Sequence, residues 1–535
     1  MPNLTRDAFA ALAAREGAPG VTLVIPVCVR LLGDQLTPVL AYRRMVAPDE
    51  RTAPSFLLES VEGGERQGRH SILGAQPALE VVAHGQAVTV RPHPDRSAPF
   101  ATPAQPPPDP LMALRSLSAG LRLATPPARR GAGLPDCFLG GWCGFAGYDT
   151  VRYAEAAKLA HPPPDDRGLP DLHFGFYDGV VVFDHVDKLV HMVQLAFVAP
   201  RADAGAVYDA ALARLGHRID QIQRHSKPLP LGRADLDQAP PGPLPSNITR
   251  GQHSAMVAKA KDYIRAGDIF QVVLGQRFER ASKADPFDVY RALRAVNPSP
   301  YMVYMQAQGC ILVASSPEIL CRVHRGTGSH APMILTSRPL AGTRRRGQSP
   351  EEDSALEREL LADAKERAEH IMLVDLGRND VGQVAKAGTI ALPRVMEIER
   401  YSHVMHISST VTGELRDGLD CWDALRATLP VGTVSGAPKI RAMQIIDELE
   451  PVRRGPYGGG MGYAGLDGQM DIALALRTIV VPTAMRRPDG TWIYHLQAAG
   501  GIVADSDPDA EYQETVNKAA AMARAIELAE RAFGA

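Results

Sequence analysis

Two pairs of glutamates offer the first chemistry in this sequence. Glu366 and Glu369 stand three residues apart in the run from Ala362 to Asp380, ADAKERAEHIMLVDLGRND, and Glu511 and Glu514 repeat the spacing near the C-terminus, with Lys518 one turn further on. On a helix, residues i and i+3 share a face, so each pair projects together. A lone ExxE is ordinary solvated helix surface, because acids are seldom buried. Here the first pair runs into His370-Ile371-Met372-Leu373-Val374, too apolar for a surface, and the second follows LQAAGGIVADS, whose Gly500-Gly501 lets a ligand approach the backbone. The expectation is two helices facing across a cleft and holding a divalent cation. Magnesium takes oxygen ligands and binds through one or two carboxylates plus an anionic substrate.

Other residues offer proton transfer and anion binding. His406, in VMHIS, shares a strand face with Val404 and Ser408; a packed structural histidine is its plainer reading. Glu318, in SSPEIL, sits at a strand exit, where burial would make a surface acid into a general acid. GTVSGAPKIRAMQII carries Thr433 and a helix opening at Pro438, and free N–H groups at a helix N-terminus attract anions. Arg477 is charged amid the apolar strand ALALRTIV, either as a strand-edge residue or as a planar carboxylate clamp. GPYGGGMGYAG contains a formal GxGxxG at Gly460, Gly462 and Gly465, but it follows a proline-bearing loop and leads into a hairpin-like LDGQMDIALAL, so the dinucleotide reading is rejected.

These residues need elements to hold them. SFLLES (55–60) reads as a strand and turn, EVVAHGQAVTV (80–90) as a hairpin with Gly85 at its turn, and FLGGWCGFAGYDT (138–150) as closely packed backbone. Residues 179–198 read as two buried strands about the turn Asp184–Lys188, and Ala204 to Gln223 as a helix. The proline-rich stretches 91–110 and 225–247 are read as connections, the second as an interdomain linker. The chain therefore divides into an N-terminal region 1–224, a linker 225–247 and a catalytic region 248–535. Beyond the linker, Thr249 caps a helix to Ala266, IFQVVLGQRFER is a strand, Asp285 to Ala295 a helix, and YMVYMQ and ILVASSPEIL strands. Glu351 to Gly377 is read as helix, GTIALP and SHVMHISSTVTGEL as strands, Pro438 to Leu449 as helix, MDIALALRTIVV and TWIYHLQAAGGIV as strands, and the last helix starts at the N-cap Asp507. Without a βαβ rhythm, the expected class is α+β, with large, mostly antiparallel sheets flanked by helices.

The composition sets bounds. The 535 residues are 45% apolar and 22% charged with a net charge of −2, which gives no electrostatic case for nucleic acid or a membrane surface. No apolar run approaches the ~18–20 residues of a bilayer span, and the N-terminus lacks an apolar signal core, so the expected location is cytoplasmic. The six cysteines are scattered without a CxxC pair, which reads as core thiols rather than a zinc site.

In order along the chain, GDIFQVVLGQRF, NPSPYM, SSPEIL, PLAGTRRRG, KERAEHIMLVDLGRND, VMHISS, PVGTVSGAPKIRAM, GPYGGGMGYAG, ALALRT and AAGGIVADSDPDAEYQET resemble component I of the anthranilate synthases, among the chorismate-utilising enzymes. The match is dense over roughly 250–525, and SFLLES and GGWCGFAGYDTVRYAE extend it N-terminally. The resemblance implies that type of fold and a Mg2+-dependent reaction: ammonia adds to chorismate at C2 as the C4 hydroxyl leaves, and pyruvate is then eliminated to give anthranilate, the first committed step of tryptophan biosynthesis. It implies Glu369 and Glu514 as direct Mg2+ ligands, with Glu366 and Glu511 acting directly or through water. Glu318 matches the general acid, His406 lies beside the reacting ring, and Thr433 joins them. Gly342, Thr343, Tyr457, Arg477, Ala499, Gly500, Gly501 and Lys518 would hold the substrate. It also implies feedback inhibition by L-tryptophan at Glu59, Ser60, Pro300, Tyr301 and Met302, and ammonia supplied by a separate glutamine amidotransferase subunit in a heterotetramer, since the chain shows no Gly-x-Cys-x-Gly nucleophile turn.

Two positions separate sister enzymes. Isochorismate and salicylate synthases carry a lysine to activate water where Gln271 stands, and aminodeoxychorismate synthases often carry a nucleophilic lysine where Ala341 stands. Both positions favour anthranilate. The alternatives are an aminodeoxychorismate synthase component I and a catalytically silent binder of tryptophan or another small anion.

Overall fold

A computed structural model describes residues 1–534 except 63–65, 94–99, 101–106, 108, 126–132, 225–228, 237–241, 243, 327–330 and 402–403. Among the described residues two large sheets dominate, one of twelve strands and one of eleven. Pairings are antiparallel apart from Thr22–Leu32 beside Leu121–Leu123, so the expected class is the one observed. Most of the expected connection 91–110 and part of 225–247 lie outside the described residues.

Both sheets draw strands from either side of residues 225–247. In the larger sheet Ser55–Glu59 pairs with Tyr301–Ala307, placing Met302 opposite Glu59. In the smaller, Gly141–Ala146 pairs with Gly460–Gly465. The sheets pack face to face: Phe56, Leu312 and Val480 of the larger meet Phe145, Met461 and Ala473 of the smaller in one buried cluster. Each large side chain buried there stabilises the fold by about 1.5–3 kcal/mol. The helices Ala204–Gln223, Pro286–Val296 and Pro508–Phe533 cover the outer face of the larger sheet. Ala364–Gly382 and Cys421–Thr428 cover the smaller. Five cysteines are buried, Cys137 is half-buried, and all six are free thiols. Among the described residues no helix is long and apolar enough to cross a membrane.

Three expected elements are each two. ILVASSPEIL divides into Cys310–Ser316 in the larger sheet and Ile319–Arg325 in the smaller. MDIALALRTIVV divides into Met470–Leu474 in the smaller and Thr478–Pro482 in the larger. In each case the chain leaves one sheet for the other, and both halves are buried, so the apolar pattern runs on through the break. Arg477 is thus on a bend rather than a strand, with φ +46, a conformation costly for a residue with a Cβ. The expected helix Glu351–Gly377 is Pro350–Ala362 followed by Ala364–Gly382. Asp363 stops the first and caps the second, its carboxylate accepting from the Lys365 and Glu366 N–H groups.

Candidate functional site

The two sheet crossings run side by side. Strand Cys310–Ser316 pairs with Thr478–Pro482, and Ile319–Arg325 with Met470–Leu474. Backbone bonds tie them: Leu474 N–H to the Glu318 carbonyl at 3.0 Å, and Ser315 N–H to the Arg477 carbonyl at 3.2 Å. Glu318 and Arg477, far apart in sequence, therefore sit on adjacent crossings.

Glu318 is 5% exposed, and the Thr433 hydroxyl donates to its Oε1 at 2.9 Å. Burial pushes its carboxyl up to about 8, against the lowering effect of that hydroxyl, so it carries a proton at neutral pH. Thr433 lies on a separate short helix, Gly432–Ser435, and not at the start of the helix Lys439–Leu449. Gly436, with φ +129, turns the chain between them. At the start of that second helix the Lys439 ammonium pairs with Asp380 at 2.6 Å, and no side chain caps the helix among the described residues.

His406 stands on Val404–Glu414 opposite Thr343 of Leu340–Arg345. Gly342, with φ +67, forms a bulge between Ala341 and Thr343, which aims its carbonyl at His406 Nδ1, 3.0 Å away. A carbonyl only accepts, so Nδ1 carries the hydrogen and Nε2 keeps a lone pair, buried and, among the described residues, without a partner. Thr343 Oγ1 is also 3.0 Å from Nδ1. Burial, then the charges of Arg477 and Lys518, lower His406 to about 4, so the ring is neutral. Among the described residues Arg477 has no carboxylate partner, and burial lowers its pKa below the usual guanidinium value.

The carboxylates gather around the strand Trp492–Ile502. The Gln271 strand, Gln271–Ser282, runs beside it, with Val273 opposite Gly501 and Gly275 opposite Ala499. Gln271 Nε2 donates to Glu369 Oε1 at 2.9 Å. A Cβ on Gly501 would lie 2.5 Å from that amide nitrogen, and one on Gly500 would lie 3.1 Å from Glu511 Oε2, so only glycines leave these groups room. Lys518 Nζ bridges Glu514, at 2.6 Å, and the Ala499 carbonyl, at 2.9 Å. The Tyr457 phenol is hydrogen-bonded to the Ala499 backbone and packs with Val273. Glu366 is held by Arg344 at 3.1 Å, which also pairs with Glu359 and Asp363.

The carboxylates suit a divalent cation in kind. Burial, and then the charges of Glu366 and Glu514, raise Glu369; burial and the charge of Glu514 raise Glu511. Glu511 Oε2 is buried with no hydrogen-bond partner among the described residues. Among the described residues no three of these groups converge on one point; Glu366 and Glu514 instead rest on Arg344 and Lys518.

At the expected inhibitor segment, Glu59 is 7% exposed and accepts from the Tyr290 hydroxyl at 2.7 Å and from Arg294 at 2.8 Å. The Ser60 carbonyl accepts from Gly68 N–H, and Val61 N–H donates to Ser299, which draws the segment up to Pro300. Tyr301 donates to Asp471 at 2.8 Å. The sequence reading missed Arg344, which ties Glu366 down, and Glu450 and Arg454, which underlie Thr433 and Tyr457. The arginine run 344–346 and the i, i+4 spacing of Glu450 and Arg454 were the available signals.

Comparison with known proteins shows the family. The family model described as chorismate binding enzyme matches residues 55–524. Anthranilate synthase alpha subunit 1, chloroplastic, from Oryza sativa subsp. japonica is 52% identical over 97% of this chain and 90% of that protein. Anthranilate synthase component 1 of Acetivibrio thermocellus is 42% identical over 95% and 96%. The crystal structure of anthranilate synthase component I from Streptococcus pneumoniae TIGR4 superposes with a TM-score of 0.68 at 34% identity, covering 92% of this chain and 99% of that one. The isochorismate synthase MenF of Escherichia coli shares the fold at 18% identity, with a TM-score of 0.65 and coverage of 97% and 99%.

Proposed function

The chain belongs to the chorismate-binding enzymes, on their anthranilate synthase component I branch, and we propose that it converts chorismate and ammonia into anthranilate, pyruvate and water with the groups described above. The carrying observation is Glu318: a buried, protonated carboxyl held by Thr433 beside the Arg477 bend. The C4 hydroxyl of chorismate leaves as water only if it is given a proton, and Glu318 holds one at neutral pH. Ammonia adds at C2 as that hydroxyl departs. Loss of the C2 hydrogen and of the enolpyruvyl group, which leaves as pyruvate, then makes the ring aromatic.

Arg477 has the free planar guanidinium to hold a substrate carboxylate. His406, neutral and with an open Nε2, adds no positive charge beside the ring and accepts a hydrogen bond. Gly342, Thr343, Tyr457, Ala499, Gly500, Gly501 and Lys518 complete the pocket. Bound Mg2+ would draw electron density from the conjugated ring through the substrate carboxylate, with Glu369 and Glu514 as its direct ligands and Glu366 and Glu511 as direct or water-mediated ones. Lys518 and Arg344 keep two of these carboxylates neutralised before that. Gln271 holds Glu369 and has no basic group to activate water, which favours ammonia as the nucleophile; Ala341 offers no nucleophile. We assign ammonia supply to a separate glutamine amidotransferase subunit in a heterotetramer, and inhibition by L-tryptophan to Glu59, Ser60, Pro300, Tyr301 and Met302.

Purified chain, chorismate, Mg2+ and ammonium at alkaline pH should yield anthranilate fluorescence. Chorismate consumed without fluorescence would favour aminodeoxychorismate synthase. A Glu514→Gln chain that binds Mn2+ as tightly as the parent, read by electron paramagnetic resonance, would overturn the metal assignment.

A further inference from the structure

Behind the proposed site lies a fully buried charged pair, Arg454 and Glu450, 2% and 4% exposed. Arg454 Nε and Nη2 donate to the two Glu450 oxygens at 2.9 and 2.5 Å. Its remaining donors reach two backbone carbonyls: Nη1 to Val434 at 2.6 Å and Nη2 to Val273 at 2.7 Å. Glu450 Oε1 also accepts from Gly275 N–H at 2.8 Å. The guanidinium carbon lies 4.7 Å from the Tyr148 ring centre and 5.9 Å from that of Tyr457.

Each of these partners adjoins a proposed site residue. Val434 follows Thr433, which holds Glu318. Val273 and Gly275 are on the Gln271 strand, and Tyr457 is itself in the proposed pocket. One guanidinium therefore joins the Thr433 helix, the Gln271 strand and the Tyr457 loop; the strand pairs with Gly436–Ala437 just past that helix, and the bond to the Val434 carbonyl adds a hold within the helix itself, one residue from Thr433. A buried ion pair is a poor device for stability alone, since apolar replacements commonly do as well. A planar fork with five fixed donors is a good device for setting distances between segments.

We propose that Arg454, braced by Glu450, is a positioning residue for the acid step: it fixes the Thr433 helix so that the Thr433 hydroxyl stays on Glu318. This rests on the reading of Glu318 as the proton donor. It touches no substrate and acts through Thr433.

The test is a double-mutant cycle between Arg454→Lys and Thr433→Ala, with kcat and KM for chorismate measured on the full chain with ammonium and Mg2+, and folding followed by circular dichroism. A lysine keeps the charge but cannot reach Glu450 and both carbonyls together. Arg454→Lys should fold, lose roughly 10–100-fold in kcat, as displacement of a catalytic group by about an ångström does, and change KM by less than about threefold. In the Thr433→Ala background the same change should cost less than about threefold, because the two act as a unit. Losses that multiply across the cycle, or full kcat in Arg454→Lys, would overturn the proposal while leaving Glu318 as the acid. Full activity in Thr433→Ala would likewise overturn the proposal, whereas full activity in Glu318→Gln would overturn the reading of Glu318 as the acid. If Arg454→Lys does not fold, Glu450→Gln, which keeps one acceptor for Arg454, takes its place in the cycle with the same outcomes.

Discussion

Glu318 is held in the acid form by the place that makes it useful. Its carboxyl is raised from 4.5 to about 8 by burial, so the folded chain keeps a proton that the unfolded chain releases. Between about pH 4.5 and 8 stability therefore falls as pH rises, and it levels off above that. At about 1.4 kcal/mol for each tenfold in proton affinity, the cost at alkaline pH is a few kcal/mol. Glu318→Gln should remove it: in urea titrations the variant matches the parent near pH 4.5 and is more stable at pH 8 and above. The same variant should lose about 10²–10⁴ in kcat, since it has no proton to give. In the parent, turnover at constant free ammonia should decline as pH passes about 8, where the acid ionises. A variant equally stable at both pH values would mean that Glu318 is not proton-bearing. Part of this was legible in the sequence: alone, Glu318 reads as a surface acid, and its strand-exit position in SSPEIL takes on the general-acid reading through the family resemblance. What was not legible is its reach to Thr433, since a 115-residue separation leaves no local pattern.

Elements decide whether the glutamates point anywhere useful. The helix Ala364–Gly382 carries Glu366 and Glu369 with a register set at its first residue by the Asp363 cap. Sequence periodicity missed that cap because no glycine or proline marks the break, although an aspartate followed three residues on by a glutamate is a helix-start pattern. It missed the two sheet crossings for a related reason: pairing partners, not local composition, decide where a buried strand changes sheets. Asp363 does two jobs, capping the helix and pairing with Arg344 at 2.9 Å. Asp363→Ala should cost about 0.5–2 kcal/mol in denaturant unfolding and weaken Mg2+ binding, because Glu366 sits in the first turn. Asp363→Asn keeps the cap but not the charge, and should hold stability to within a few tenths of a kcal/mol. If both variants lose equally, the Arg344 pairing rather than the cap sets the helix.

At the scale of the molecule, the two sheets are packed mainly through apolar side chains, and a polar tie runs between them at the proposed inhibitor segment. Tyr301, on the larger sheet, donates to Asp471 on the smaller at 2.8 Å. Arg322, beside Asp471 in the register, pairs with it at 2.9 Å and reaches the Tyr301 hydroxyl at 2.8 Å. The strands of both partners end at the crossings: Arg322 is four residues from Glu318, and Asp471 six from Arg477. A ligand that shifts Tyr301 therefore pulls on the strands that carry the proposed acid and the proposed carboxylate clamp. Coupling between two sites requires an element that both bias, and this tie is such an element. Asp471→Asn keeps the shape and removes the charge that gathers Tyr301 and Arg322. It should leave kcat and KM without inhibitor within about threefold of the parent, and tryptophan binding by calorimetry likewise, while the rate at saturating tryptophan rises by about 5-fold or more, the low end of ordinary coupling energies. A variant that binds tryptophan normally and is still fully silenced by it would show that the signal crosses the sheet interface elsewhere, through the apolar contacts of Phe56, Phe145 and Met461.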